Sequence, residues 1–150
     1  MNDTRISKDD YYLEVAEVIL KRSTCLRRHY GAVIVNNDII IATGYNGSPR
    51  KKVNCDKVGV CKREVMKIAK GERYELCEAV HAEQNALINT SRQAMLGGIM
   101  YIVGKEVSTG EYANPKPCAI CEKMILNSGL SKVIGRMPDG SIKELMSMED

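Results

Sequence analysis

Apolar positions in the first third of the chain change period once, from helical spacing to continuous β-branched runs. Between Ser7 and about Ser23, Tyr12, Val15, Ala16, Ile19 and Leu20 fall on one stripe, as in an amphipathic helix, and Ser7 and Asp10 are suited to capping its start. Ala32-Val33-Ile34-Val35 and Ile39-Ile40-Ile41-Ala42 follow, separated by Asn36-Asn37-Asp38, residues that tolerate left-handed backbone; they predict an antiparallel hairpin. A loop opens with Gly44-Tyr45-Asn46-Gly47-Ser48-Pro49 and runs into a charged segment, with a short helix expected around Arg63 to Lys70. The pattern then predicts a helix from His81 to about Ser91, a strand from Ile99 to Val103, a helix from Cys118 to Ser128 ended by Gly129, and a strand from Lys132 to Gly135. A hairpin followed by alternating helices and strands implies a mixed sheet with helices on both faces. The expected fold class is α/β, a three-layer α/β/α sandwich formed as a single domain over residues 1–150. After Arg136, Met137, Met146 and Met148 stand among polar residues, a pattern of surface packing or subunit contact to which no chemistry is assigned.

Composition narrows the class. The 150 residues are 44% hydrophobic and 27% charged, the balance of a globular protein able to bury its own core. A formal charge of +3, with bases scattered among acids, gives no basic run for a nucleic-acid groove or an anionic membrane. The opening Met1-Asn2-Asp3-Thr4-Arg5 is polar and lacks a signal-peptide core, and no apolar stretch approaches the roughly 20 residues of a membrane helix, so cytoplasmic residence is expected. In that reducing compartment six cysteines read as metal ligands or buried thiols, not disulfides.

Two short runs carry chemistry. His81-Ala82-Glu83 opens one predicted helix and Pro117-Cys118-Ala119-Ile120-Cys121 opens another. Alone, the histidine fits a buried or capping role, and Cys-x-x-Cys fits a redox pair or a closed zinc knuckle. Together they offer an imidazole and two thiolates, the thiolates favoured by helix N–H dipoles. Three such ligands leave the fourth position of a tetrahedral zinc open to water, as in a catalytic site. Glu83, a carboxylate two residues past the histidine, is placed to take a proton from that water and pass it to a ring nitrogen and a departing ammonia.

His-x-Glu with Pro-Cys-x-x-Cys is the signature of zinc nucleobase deaminases. Beyond it, Cys25-Leu26-Arg27-Arg28-His29-Tyr30-Gly31-Ala32-Val33-Ile34-Val35, Gly44-Tyr45-Asn46-Gly47 and His81-Ala82-Glu83-Gln84-Asn85-Ala86 are similar to the bacterial deoxycytidylate (dCMP) deaminase family, over roughly residues 8–135. The resemblance implies the cytidine-deaminase fold and one catalytic zinc (Zn2+) on His81, Cys118 and Cys121. It makes Glu83 the proton shuttle in hydrolysis of dCMP to dUMP and ammonia, a step that feeds thymidylate synthesis. It sets Asn46 on the sugar hydroxyl, where the alternative is a turn asparagine, and Arg27 on the nucleotide phosphate, with Arg28 competing and surface charge the alternative for either. Family members often form homo-hexamers activated by dCTP and inhibited by dTTP, with the Gly44–Gly47 region near the effector site. Other substrates for such a site are cytidine, guanine, a riboflavin-pathway pyrimidine or tRNA adenosine; the modest charge weighs against tRNA. A zinc-stabilised binding module without turnover is the non-enzymatic alternative, and Glu83 weighs against it.

Three features depart from the family pattern or stand outside it. Tyr30 occupies a position usually held by valine, so the pocket entrance is expected to differ. Residues 104–116 replace a very short connection, and a loop beside zinc ligands suits a lid, with Tyr112 stacking on the base and Lys116 reaching phosphate, or else an exposed decoration. Cys25, Cys55, Cys61 and Cys77 remain after the catalytic pair: a second, structural zinc, as in some family members, or four independent thiols.

Overall fold

Ser7 begins the first helix as its capping residue, its Oγ accepting the Asp10 N–H at 3.0 Å, with Asp9 and Asp10 at the positive end of the dipole. This helix, α1 (Lys8–Leu20), buries Tyr12, Leu13, Ala16 and Leu20 and stops three residues before the expected end. The computed structural model describes residues 4–69, 77 and 79–148.

The predicted hairpin forms as β1 (Arg28–Asn36) and β2 (Ile39–Tyr45), turning through Asn37 and Asp38 at φ of 52° and 61°. Two single-turn helices follow, α2 (Cys55–Val58) and α3 (Lys62–Val65). The helix expected to Lys70 thus ends at Val65, and its last residue lies outside the described ones. Next come α4 (Ala82–Ile88), α5 (Arg92–Met95), β3 (Ile99–Glu106), α6 (Ala119–Ser128), β4 (Lys132–Arg136) and β5 (Ile142–Ser147). The helix expected from His81 to about Ser91 ends at Ile88, and beyond it the Ser91 Oγ accepts the Ala94 N–H and starts α5, a turn the sequence pattern did not predict. The tail after Arg136, expected to serve surface packing or a subunit contact, forms the fifth strand: it pairs antiparallel with β4, and Leu145, Met146 and Met148 pack against the core.

The sheet order is β2-β1-β3-β4-β5, with β3 and β4 parallel and the other pairs antiparallel, so it is mixed as expected. Alternation along the strands makes three layers. Val33, Val35, Tyr101, Val103 and Ile134 face α1, whereas Ala32, Ile34, Met100, Ile102 and Val133 face Ala82 and Ala86 of α4, Met95 of α5 and Ile125 of α6. Gly44 lets α4 lie directly on β2: a Cβ there would stand 2.4 Å from the Ala82 carbonyl oxygen and from the Ala86 nitrogen. The Asn85 and Asn89 amides then donate to the carbonyls of Tyr45 and Thr43, each at 2.8 Å. Among the described residues no helix is long and apolar enough to cross a membrane.

Candidate functional site

His81 is the residue before α4, and its own N–H donates to Gln84 Oε1 at 2.9 Å. The residue before it is held by reciprocal Gly47–Val80 backbone bonds of 3.1 and 2.7 Å. Across the same face of the sheet, Cys118 caps α6 and accepts the Cys121 N–H on its Sγ at 3.4 Å. The two helix starts bring His81 Nδ1 to 3.2 Å from Cys121 Sγ and 3.6 Å from Cys118 Sγ. The three donor atoms lie within 4.8 Å of one another, and among the described residues they are the one such group of histidine, cysteine and acidic side chains. A tetrahedral zinc with sulfur at about 2.3 Å and nitrogen at about 2.0–2.1 Å separates the two by about 3.5 Å, so these residues fit that ion.

Charge favours a cation there too. Burial pushes the Cys121 thiol far above the ordinary thiol range, and the neighbouring Glu83 charge pushes it further. Glu83 is buried, and loss of water raises its carboxyl above the usual carboxylate range, although the His81 charge and a Cys121 hydrogen bond oppose the shift. A divalent ion among these groups would stabilise thiolate and carboxylate together.

The site opens into a cavity of about 530 Å³, within the range that holds a small ligand. His81, Glu83 and Cys118 lie on its wall, together with Asn46, Arg27 and Arg28. Asn46 is already engaged: its Oδ1 accepts from the Ser23 hydroxyl at 2.5 Å and the Tyr30 N–H at 2.8 Å, and its Nδ2 donates to the Arg28 carbonyl at 2.9 Å. Its carbonyl is fully used, so it can offer a ligand one amide hydrogen, not the paired donor and acceptor expected from the sequence. The Arg27 Nε lies 3.0 Å from Glu64 Oε1 and the Arg28 Nε 2.9 Å from Glu106 Oε1, so both arginines reach the wall already paired. Arg63 is a lining residue that sequence reasoning missed. It is buried, with its Nη2 donating to the Ala69 carbonyl at 2.9 Å, and it sits in an aperiodic charged segment that carried no signal for it.

The 104–116 segment continues β3 and returns along the cavity wall, packed against the sheet. Lys105 pairs with Tyr112, the Ala113 N–H donates to the Gly104 carbonyl at 2.8 Å, and Pro115 is fully buried. Tyr112 packs on the α1 side of the sheet beneath the Lys105 amine, away from any base in the cavity, whereas Lys116 lines the cavity. Cys25, Cys55, Cys61 and Cys77 are partly buried free thiols. Burial raises Cys55 and Cys77, and each is raised further by Cys25 and Cys61, so the four are neighbours without forming a group as tight as the first.

A family model of the cytidine and deoxycytidylate deaminase zinc-binding region matches residues 6–137. The chain belongs to this family. The deoxycytidylate deaminase of Schizosaccharomyces pombe is 35% identical over 133 residues, which make up 89% of this chain and 38% of that protein. The deoxycytidylate deaminase of Mycobacterium phage D29 is 31% identical over 131 residues, 84% of this chain and 91% of the phage protein. The chain therefore spans well under half of the fission-yeast protein and nearly all of the phage one. Among solved structures, the dCMP deaminase of cyanophage S-TIM5 in complex with dCMP and dUMP is 26% identical, with a TM-score of 0.60 and coverage of 89% of this chain and 84% of that one. The fold is thus the cytidine-deaminase-like α/β/α sandwich expected from the sequence.

Proposed function

We propose that this deaminase-family chain hydrolyses dCMP to dUMP and ammonia, a reaction that feeds thymidylate synthesis. The observation that carries the reading is the buried Glu83 carboxyl beside the three-donor group of His81, Cys118 and Cys121, at the wall of a cavity that also holds Arg27, Arg28 and Lys116. His81, Cys118 and Cys121 would hold zinc, which would supply the Lewis acidity that makes water nucleophilic near neutral pH. Glu83 accepts the proton of the attacking water, delivers it to the ring nitrogen, and passes the second hydroxyl proton to the leaving amine. Water adds at the carbon bearing the amino group, the C–N bond breaks, and a ring carbonyl and ammonia remain. The free Asn46 amide hydrogen binds a sugar hydroxyl, and Arg27, with Arg28 and Lys116 beside it, takes the phosphate.

The same reading assigns a second, structural zinc to Cys25, Cys55, Cys61 and Cys77, supported by the mutual influence of these partly buried thiols. It also includes a homo-oligomer, supported by exposed Ile88, Met124 and Leu126 on the outer helices, and dCTP and dTTP as effectors. Support for the effectors is that Gly44–Gly47 touches α4 and the residue before His81, so a ligand there would shift the metal-binding residue. In this reading all six cysteines are zinc ligands, a use of cysteine that suits the reducing cytoplasm.

The test is ammonia release from dCMP, CMP, deoxycytidine, dCTP and guanine side by side, with Glu83→Gln as control. The expected result is a clear preference for dCMP, and a variant that retains zinc but releases no ammonia; full activity of that variant would refute the mechanism. Metal analysis should find about two zincs per chain, and a value near one would sink the structural site.

A further inference from the structure

Residues 50–69, between β2 and α4, fold inside out. α2 buries none of its residues and α3 buries only Arg63, while Val53, Val58, Val60, Val65 and Met66 stand 53–65% exposed. None of these five packs against either core cluster. Keeping aliphatic side chains in water and a guanidinium under the surface gives up the hydrophobic stabilisation that the reverse arrangement would supply, and a shared apolar patch of this kind marks a contact surface. The five line a groove of about 480 Å³ that lies beside the cavity at His81 and shares Cys61, Arg63 and Cys77 with it. Its support is fixed. Glu64 pairs with Arg27 at 3.0 Å, and the Thr24 hydroxyl donates to Asn54 Oδ1 at 3.1 Å, tying α3 and the start of α2 to the chain that enters β1.

Charge says what such a groove fits. Residues 50–69 hold seven lysines and arginines against two acids, a net +5, while the whole chain is only +3 and the remaining residues are therefore net −2. Arg50, Lys51, Lys52, Lys57, Lys62 and Lys67 are exposed and interleave along the chain with the lining valines. We propose that this surface docks a partner protein through a segment that combines acidic with aliphatic side chains. The aliphatic side chains fill the groove, and the acids meet the surrounding lysines and set register and encounter rate. A single-stranded nucleic acid would need rings on which to stack its bases, and residues 50–69 contain no Phe, Trp or Tyr. An anionic lipid surface takes up apolar side chains that protrude into it, whereas these line a concavity. The docking surface stands apart from the choice of nucleotide substrate.

The probe is a fluorescent synthetic helical peptide with leucine along one stripe and glutamate elsewhere, titrated by anisotropy against the full zinc-loaded chain. Comparison peptides replace every leucine by serine or every glutamate by lysine; oligo-dT and phosphatidylserine vesicles are titrated alongside. Wild type should bind the leucine–glutamate peptide at least about tenfold more tightly than either comparison peptide. The pair Val58→Asp and Met66→Asp, and separately Lys52→Glu with Lys57→Glu, should each weaken that binding about tenfold or more. All four positions are exposed and none lines the cavity at His81, so circular dichroism and ammonia release from dCMP should stay at wild-type values. The proposal is overturned if wild type does not bind the peptide, if the serine peptide binds as well, or if both double variants bind as wild type does. It is also overturned if oligo-dT or the vesicles bind more tightly than the peptide, or if sedimentation shows wild type self-associating and the Val58→Asp, Met66→Asp pair dispersing it, which would make a second copy the occupant. Absence of ammonia release from wild type with the peptide results as expected would sink the reaction and leave the docking surface standing.

Discussion

Asn46 is tied to Ser23, Tyr30 and Arg28, three positions at one end of β1 or just before it, so its amide is structural before any ligand arrives. Asn46→Ala would leave a hydroxyl, an N–H and a carbonyl without their partner in a buried setting. We expect it to lower stability by about 2–4 kcal/mol in urea denaturation. A side chain that served only the ligand would change stability by less than about 0.5 kcal/mol. That structural role was invisible in the sequence because Ser23 and Asn46 are 23 positions apart and nothing in their spacing pairs them. His81, Glu83, Cys118 and Cys121 were legible for the opposite reason. Two thiols on one turn and a carboxylate beside an imidazole answer to chelation and proton transfer, which demand short, fixed spacings.

Among the elements, α4 is the one whose placement matters most to the site, and it rests on the missing side chain of Gly44. The atoms a Cβ would meet, the Ala82 carbonyl oxygen and the Ala86 nitrogen, are backbone and cannot rotate away. Gly44→Ala must therefore push α4 off β2 and carry His81 with it. We expect a loss of about 1–3 kcal/mol in stability together with weaker zinc binding, measured by denaturation and by metal titration of the same preparation. Lost stability with wild-type zinc affinity would show that His81 does not move with the helix. The strands that build this platform were readable because β1, β2, β3 and β4 are apolar or β-branched runs. In β5 the pair Lys143-Glu144 breaks the alternation on an exposed edge, so only the hydrogen bonds to β4 identify it. The helix α5 was missed for a related reason, since Arg92–Met95 is a single turn too short to show a period of its own.

At the scale of the whole molecule, the three donors His81, Cys118 and Cys121 join the starts of α4 and α6, which also share the apolar face around Ala82, Ala86 and Ile125. The opposite layer, α1 on Val33, Val35 and Val103, contains none of the ligands. Metal binding should therefore stabilise the molecule unevenly. With free zinc about 1,000 times its dissociation constant, linkage gives about 4 kcal/mol, or roughly 10 °C in melting temperature for a chain of this size. Dialysis against a chelator should remove that increment. Hydrogen exchange should then quicken in the first turns of α4 and α6 and stay slow in β1, β3 and α1, which carry none of the three donors. Equal loss of protection in α1 would mean that the two faces of the sheet unfold as one unit and that the metal supports the entire sandwich. Confinement of the loss to the two helix starts would mean that the sheet is a preformed platform, on which the site closes only when its cation is present.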